Sequence, residues 1–251
     1  MKNVRLYSFL FFVSIVLGWE VLASSMSELI LPAPSIVLYT LWDGLKTGYF
    51  LPHIIRTCLE IGLGLLLGSI LGFVAGILMG EFNFVQRLFL PYIIASQAVP
   101  KLALAPLFVL WFGFGMTSKV VITALVCFFP LLENTMTAIQ YINPQKKELF
   151  RVLGATRWQT LIGLKIPAGL PGILAGFRVA VVLSVVGAVV GEFIGGSAGL
   201  GALVIASQGM MDTPLMFAVI VLITAIGIVL YQTVNLIEKV LLKPYTKERN
   251  K

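Results

Sequence analysis

The chain has 251 residues, of which 59% are hydrophobic and only 12% are charged, and its mean hydropathy is +0.99. A soluble domain normally has about 25% charged residues, so this composition excludes a water-soluble globule and predicts one helical membrane domain over residues 1–251. The net charge of +7 does not indicate nucleic-acid binding, because the basic residues cluster between apolar stretches and at the C-terminus.

Six apolar stretches are long enough to cross a membrane as helices, for which about 20 residues are needed. They are Leu6–Ala23, Leu59–Met79, Leu88–Phe112, Val120–Ile139, Leu170–Ile194 and Leu215–Ile237. Lys2 and Arg5 before the first stretch are typical of a signal peptide, but the further stretches favour an uncleaved first span. Pro91, Pro100 and Pro106 predict that the third span is kinked or broken.

Basic residues predict which ends of the spans face the cytoplasm. The basic residues that follow the fourth and sixth spans are Lys146, Lys147, Arg151, Arg157, Lys165, Lys239, Lys243, Lys247, Arg249 and Lys251. Both segments are therefore expected inside, and six spans then place both termini in the cytoplasm. The segments 24–55, 113–119 and 195–214 are expected outside.

The second span repeats glycine at every fourth position, which places these residues on one helical face. They are Gly64, Gly68, Gly72, Gly76 and Gly80. A face without side chains lets another helix approach to backbone distance, which offsets the poor helix propensity of glycine. This favours a structural packing seam, and the alternative is a seam that moves during a transport cycle.

The segment between the fourth and fifth spans has a helical pattern of its own. Lys146–Leu153 is predicted to be a helix that Gly154 ends, and Thr156–Leu164 a second helix before Pro167. This predicts a short helix–turn–helix across the cytoplasmic mouth. It exposes both charge and apolar surface, as a docking element would.

The spacing in this segment resembles the EAA loop of ABC importer permeases, which reads Glu-Ala-Ala, three residues, Gly, nine residues and Ile-any-Leu-Pro. The matching residues are Glu148, Leu149, Phe150, Gly154, Leu164, Ile166 and Pro167. The two alanines, the isoleucine and the leucine of that pattern are replaced by other apolar residues. The resemblance implies that residues 143–167 form the coupling loop, which in that family fits a groove on the ATPase subunit.

Further stretches resemble the branch of this family that imports sulfonates, taurine, nitrate and related compounds. They are Leu31–Trp42, Val99–Val121, Phe128–Thr135 and Gly191–Val204. The resemblance implies an all-α, MetI-like type I importer core of five spans with one additional N-terminal span. It also implies a homodimer in the inner membrane, with an ABC ATPase and an extracytoplasmic binding protein as partners.

Polar residues in or beside the spans are candidates for the substrate pathway. They are Ser96, Gln97, Lys101, Glu133, Asn134 and Glu192. A cation at membrane depth favours an anionic substrate such as a sulfonate, taurine or nitrate, unless Lys101 lies at the interface. The carboxyl groups have the alternative of structural pairing with Lys101, Lys119 or Arg178. His53, the only histidine, is interpreted as an interfacial residue outside the second span.

The chain is not expected to be an enzyme. It has no phosphate loop of the form G-x-x-x-x-G-K-[ST], so a partner subunit must hydrolyse ATP. One histidine and two cysteines in apolar stretches suggest no catalytic set, metal site or cofactor. An ion-coupled secondary transporter is the alternative, which the lack of an internal repeat disfavours. Pyrimidine or flavin vitamin precursors remain alternative substrates.

Overall fold

The computed structural model describes the backbone of residues 2–248, with side chains for residue 4 and residues 6–243. The helices in this part are α1 (Lys2–Ser24), α2 (Pro34–Lys46), α3 (Leu51–Glu81), α4 (Asn83–Ala98), α5 (Ala105–Phe112), α6 (Met116–Gln140), α7 (Pro144–Val152), α8 (Arg157–Thr160), α9 (Ile166–Gly195), α10 (Leu200–Gly209) and α11 (Thr213–Glu248). A 3-10 turn precedes α5, and a π-helical turn joins α8 to α9. The predicted orientation signals Lys2, Arg5, Lys247, Arg249 and Lys251 have side chains outside the described residues.

Five helices within the described residues are long and apolar enough to cross a membrane. The third predicted span is a sixth crossing only if α4 and residues 101–112 count together, and these two parts meet at an angle of 82°. The predicted break is therefore confirmed, and it lies at Pro100. Pro91 lies inside α4, and Pro106 lies in the first turn of α5, where a missing N–H is not needed.

Helix α3 begins at Leu51, eight positions before the predicted start of the second span at Leu59. His53 therefore lies within this helix, and its Nδ1 atom is 3.0 Å from the carbonyl oxygen of Gly199. The interpretation of His53 as a residue outside the span is wrong. Its ring is half-buried because the turn before α10 covers it.

The centre of the bundle is α6, which lies between α3 and α9. The five repeated glycines of α3 all face α6. A Cβ atom at Gly72 would lie 2.5 Å from the carbonyl oxygen of Phe128, so the two backbones are in direct contact. In contrast, a Cβ atom at Gly62, on another face of α3, would meet nothing within 4 Å. The glycine face thus sets the distance between these two helices.

A smaller core lies at the end of the bundle where α10 is found. Val37 of α2, Phe50, Leu200 of α10 and Val219 of α11 are buried there against one another. Helix α1 joins this region through Trp19, whose ring contacts Phe217 and whose Nε1 donates to the Pro32 carbonyl at 3.1 Å. Most other side chains of α1 are exposed, as expected for an additional span outside the core.

Candidate functional site

A cavity of about 600 Å³ lies at the bend between α4 and α5. Helices α6 and α9 form its other walls. Four of the six predicted pathway residues line it, namely Gln97, Lys101, Glu133 and Asn134. Val99, Pro100, Lys101 and Leu102, at the bend itself, form one wall of this space.

The polar groups of the cavity carry one positive and one negative charge. Gln97 Nε2 donates to Glu133 Oε1 at 2.6 Å, and Lys101 Nζ lies 4.3 Å from the centre of the Phe129 ring. Asn134 Nδ2 donates to the Pro130 carbonyl at 2.8 Å. The cavity therefore offers a cation, a carboxylate, two amides and an aromatic ring to a small solute.

The other two predicted pathway residues, Ser96 and Glu192, lie elsewhere. The Ser96 hydroxyl donates to the Ile93 carbonyl at 2.7 Å, and it does not line the cavity. Glu192 is buried near the start of α10, where it accepts hydrogen bonds from the Thr57 hydroxyl and the Gly201 amide. Its local sequence gave no signal for these partners, which lie on other elements.

The expected pairings of carboxyl groups with lysine or arginine also differ in the structure. Arg178 pairs with Glu238 of α11. Lys119 donates to three backbone carbonyls, those of Phe114, Gly115 and Gly195, at 2.7–2.9 Å. The sequence suggests carboxyl groups as the partners of these cations. Helix ends also supply unpaired backbone carbonyl groups, and Lys119 binds such groups instead.

The loop 143–167 contains the two predicted helical segments, but the second does not end before Pro167, because α8 and the π turn continue directly into α9. Asn143 caps the start of α7, and Gly154 ends this helix with a φ of +74°, a conformation that favours glycine. The Thr156 and Gln159 side chains form a capping box at the start of α8. These caps define both ends of α7 and the start of α8.

The residues that match the EAA pattern divide between two sides of this loop. Glu148, Leu149 and Gly154 are exposed, whereas Leu164 is buried and Phe150 packs near Gly163. Ile166 and Pro167 lie half-buried in the first turn of α9. One side thus fastens the loop to α9, and the other is free for a partner.

The free side of the loop exposes apolar side chains next to charged ones. Val152 is 76% exposed and Trp158 is 68% exposed, and Leu149 and Leu153 are exposed beside them. Glu148 forms an ion pair with Arg151 at 3.6 Å on this surface. Such a mixed patch is typical of a protein–protein interface.

The base of the loop is held by ionic contacts with the ends of the spans. Lys165 Nζ lies 2.6 Å from Glu81 Oε2, and Lys147 Nζ donates to the Gln140 carbonyl at 2.8 Å. Burial, together with the nearby Lys165, lowers the pKa of Lys147. The ends of α3, α6 and α9 thus all contact the base of the loop.

Comparison with known proteins finds a matching family and several similar transport proteins. The family described as "Binding-protein-dependent transport system inner membrane component" matches residues 64–243. The chain is 38% identical to the formylaminopyrimidine transport permease protein ThiX of Halalkalibacterium halodurans, over 96% of both chains. It is 36% identical to the riboflavin transport system permease protein RibX of Chloroflexus aurantiacus, over 90% of this chain and 85% of that protein.

A relative with a different named substrate is almost as similar. The chain is 34% identical to the putative aliphatic sulfonates transport permease protein SsuC of Bacillus subtilis, over 90% of this chain and 82% of that protein. Among solved structures, an inward-facing MetNI methionine ABC transporter has a TM-score of 0.65 and 18% identity, over 86% of this chain and 99% of that chain. The similarity to that structure extends to the fold alone.

Proposed function

Because this chain belongs to the family of binding-protein-dependent transport system inner membrane components, we propose that two copies of it enclose the substrate pathway of an ABC importer. A separate ATPase subunit supplies the energy, and an extracytoplasmic binding protein delivers the substrate. The observation that carries the proposal is the loop 143–167, which is fastened to the spans on one side and free on the other. The chain itself has no ATP-binding loop.

The loop 143–167 lies on the cytoplasmic side in this proposal, as do both termini. Its basic residues support this orientation. Lys146→Cys in a Cys58→Ser background tests it, since the exposed Lys146 position gives a labelling site and Cys127 is buried. A membrane-impermeant thiol reagent should label this cysteine only after the cells are opened, and labelling in intact cells contradicts the orientation.

The pathway passes the cavity at the α4–α5 bend in this proposal. Two such cavities would face each other across a dimer axis, and the loops would move them between outward and inward access. Support comes from the lining, because Lys101 and Glu133 are the kind of polar groups that a membrane span carries only toward a cavity or a partner.

A planar heteroaromatic solute of the vitamin-precursor type is the substrate class that this cavity favours. The cavity holds both an acidic residue, Glu133, and a basic one, Lys101, and the amides of Gln97 and Asn134 can pair with ring nitrogen and oxygen atoms. The relatives named for formylaminopyrimidine and riboflavin support the same class. A small anion such as a sulfonate is the second candidate, which Lys101 and the relative named for aliphatic sulfonates support.

Uptake by reconstituted proteoliposomes tests both the role and the substrate class. The chain would be reconstituted with its proposed ATPase subunit and binding protein, and supplied with formylaminopyrimidine, riboflavin, taurine or an alkanesulfonate. We expect uptake of a heteroaromatic solute that requires both ATP and the binding protein. Uptake of sulfonates alone would select the second candidate. Uptake driven by an ion gradient without ATP contradicts the importer.

A further inference from the structure

Helix α2 connects the first two membrane-spanning helices but is too short to cross the membrane itself. It has 13 residues. At 1.5 Å per residue its length is about 20 Å, whereas the hydrocarbon core is about 30 Å thick. The span before it ends at Ser24, and the span after it begins at Leu51. Because a connection between consecutive spans begins and ends at the same membrane surface, α2 lies close to that surface.

Hydrogen bonds and packing fix the orientation of α2 on the bundle. Glu20 of α1 accepts from the Ser35 amide at 3.1 Å and from the Ser35 hydroxyl at 2.6 Å. At the other end of α2, a Cβ atom at Gly44 would overlap the ring of Phe50, which is buried in the smaller core together with Val37. The face of α2 that carries Val37 and Gly44 is therefore held against the protein.

The neighbouring face of α2 is apolar but uncovered. Leu38 is 59% exposed, Trp42 is 60% exposed and Leu45 is 45% exposed. Their spacing of four and three positions places these side chains in one row along the helix, about 100° around the axis from Val37. Exposure of such a row to water is unfavourable, so the row needs a non-aqueous neighbour.

The next face of α2 is mostly polar. Asp43 is exposed on it, and so is Thr47, directly after the end of the helix. Thr40 lies in the same row and is half-buried, and Ile36 is its apolar member. A carboxylate is costly to bury in lipid, so this face must meet water. The exposed surface of α2 is thus divided lengthwise into an apolar row and a polar row.

Two residues with amphipathic side chains lie along the boundary between these rows. Tyr39 and Lys46 are seven positions apart, on the same side of α2, and both are exposed. The Nζ atom of Lys46 lies 4.9 Å from the centre of the Trp42 ring. Tyrosine and tryptophan are enriched at membrane–water interfaces, and lysine can rest its stem on apolar surface while its charge reaches the headgroups.

We propose that α2 is an interfacial helix that binds the surface of the lipid bilayer. Leu38, Trp42 and Leu45 lie among the upper parts of the acyl chains, Lys46 lies at the lipid phosphates, and Asp43 faces water. A protein partner is the less suitable occupant, because protein interfaces commonly surround an apolar centre with polar groups, whereas α2 separates the two kinds of side chain lengthwise. This contact with lipid is independent of the substrate and of the ATPase.

Spin labels on adjacent residues test the proposal. Trp42→Cys and Asp43→Cys would be labelled in the Cys58→Ser background, in the full-length protein in nanodiscs of phosphatidylethanolamine and phosphatidylglycerol. Collisions with oxygen, which concentrates in lipid, are compared with collisions with a water-soluble nickel chelate. We expect the label at position 42 to favour oxygen, as does a reference label at Leu63, an exposed residue of α3. The label at position 43 should favour the nickel chelate, as does one at Glu148, an exposed residue of the loop.

Each alternative location of α2 gives a different result. A preference for the nickel chelate at both positions would show that the apolar row faces water, and low access of both reagents to position 42 would show that a second copy of the chain covers it. A preference for oxygen at both positions would show that α2 is immersed in lipid. Each of these three results overturns the proposal. If Trp42→Cys does not fold, Leu38→Cys and Leu45→Cys report on the same row.

Discussion

Charged side chains are buried at one end of the bundle and exposed at the other. Near α10, Glu192 and Lys119 are almost fully buried, and other parts of the same chain supply their hydrogen-bond partners. At the loop 143–167, Glu148 is exposed beside uncovered apolar side chains such as Val152 and Trp158. The first end buries its charged groups within one chain, whereas the second presents a surface that a partner would cover.

This difference separates residues that hold the fold from residues that act through a partner. Buried polar groups inside a membrane domain must find their hydrogen bonds internally, so changes near α10 should lower stability. The exposed side of the loop lies outside the spans, so changes there should leave the fold intact and alter docking or coupling. Variants of the seam, the buried end and the cavity test this division.

The largest effect is expected at the seam that connects the two ends. Gly72→Leu would force α3 and α6 apart, because even a Cβ atom would lie 2.5 Å from the Phe128 carbonyl. We expect a cost of about 3 kcal/mol or more, measured as loss of monodisperse protein and a lower unfolding temperature. Gly62→Leu on the open face of α3 is the matched control. A wild-type unfolding temperature for Gly72→Leu would show that α3 and α6 are not packed tightly at this position.

A smaller loss of stability is expected at the buried end. Lys119→Met removes the donor from three carbonyls that bind its ammonium group, at a cost of about 3 kcal/mol. Thermal unfolding in detergent measures this loss, and Lys46→Met is the control because Lys46 is exposed. If Lys119→Met and Lys46→Met unfold at the same temperature, the buried ammonium group of Lys119 does not stabilise this end.

The smallest effect is expected in the cavity between the two ends. Lys101→Met removes the basic side chain from the cavity lining, and we expect about tenfold slower uptake at limiting substrate, equivalent to about 1.4 kcal/mol. Uptake kinetics, unfolding temperature and ATPase co-purification separate this effect from misfolding, and Lys101→Arg keeps the charge. Unchanged uptake kinetics in Lys101→Met would show that Lys101 does not act on the substrate.

Features with a local signal were predictable from the sequence. Apolar length predicts the spans, Pro100 marks the break in the third span, and Gly154 separates the two helices of the loop. Each depends on residues that are close together in the chain. The regular spacing of glycine in α3 predicts a packing face for the same reason, although it does not identify α6 as the partner.

Features that depend on distant partners were not predictable. Thr57 and Glu192 are separated by 135 positions, and neither has neighbours that indicate the contact. The start of α3 at Leu51 has no local signal, because His53 and Arg56 are polar residues whose partners lie in the turn before α10 and on α3 itself. Gln97, Lys101, Glu133 and Asn134 were each predicted, but their shared cavity follows from the bend between α4 and α5.

In the proposed function the loop 143–167 links the spans to an ATPase. A substitution of Gly154 would change the backbone of this loop without touching the spans. A Cβ atom at this position would meet nothing within 4 Å, so the first effect of a substitution is on the left-handed backbone. Gly154→Val should cost about 1–3 kcal/mol within the loop, whereas Gly154→Asn tolerates this conformation better. Glu148→Ala removes an exposed charge without changing the backbone.

Substrate-stimulated ATP hydrolysis in proteoliposomes, measured together with co-purification of the ATPase, tests this claim most directly. We expect Gly154→Val and Glu148→Ala to reach the membrane with wild-type unfolding temperatures for their spans. Both should lose the ATPase subunit or the stimulation of hydrolysis by substrate, while Gly154→Asn stays close to the wild type. Full docking and coupled uptake in both Gly154→Val and Glu148→Ala would contradict the role of this loop.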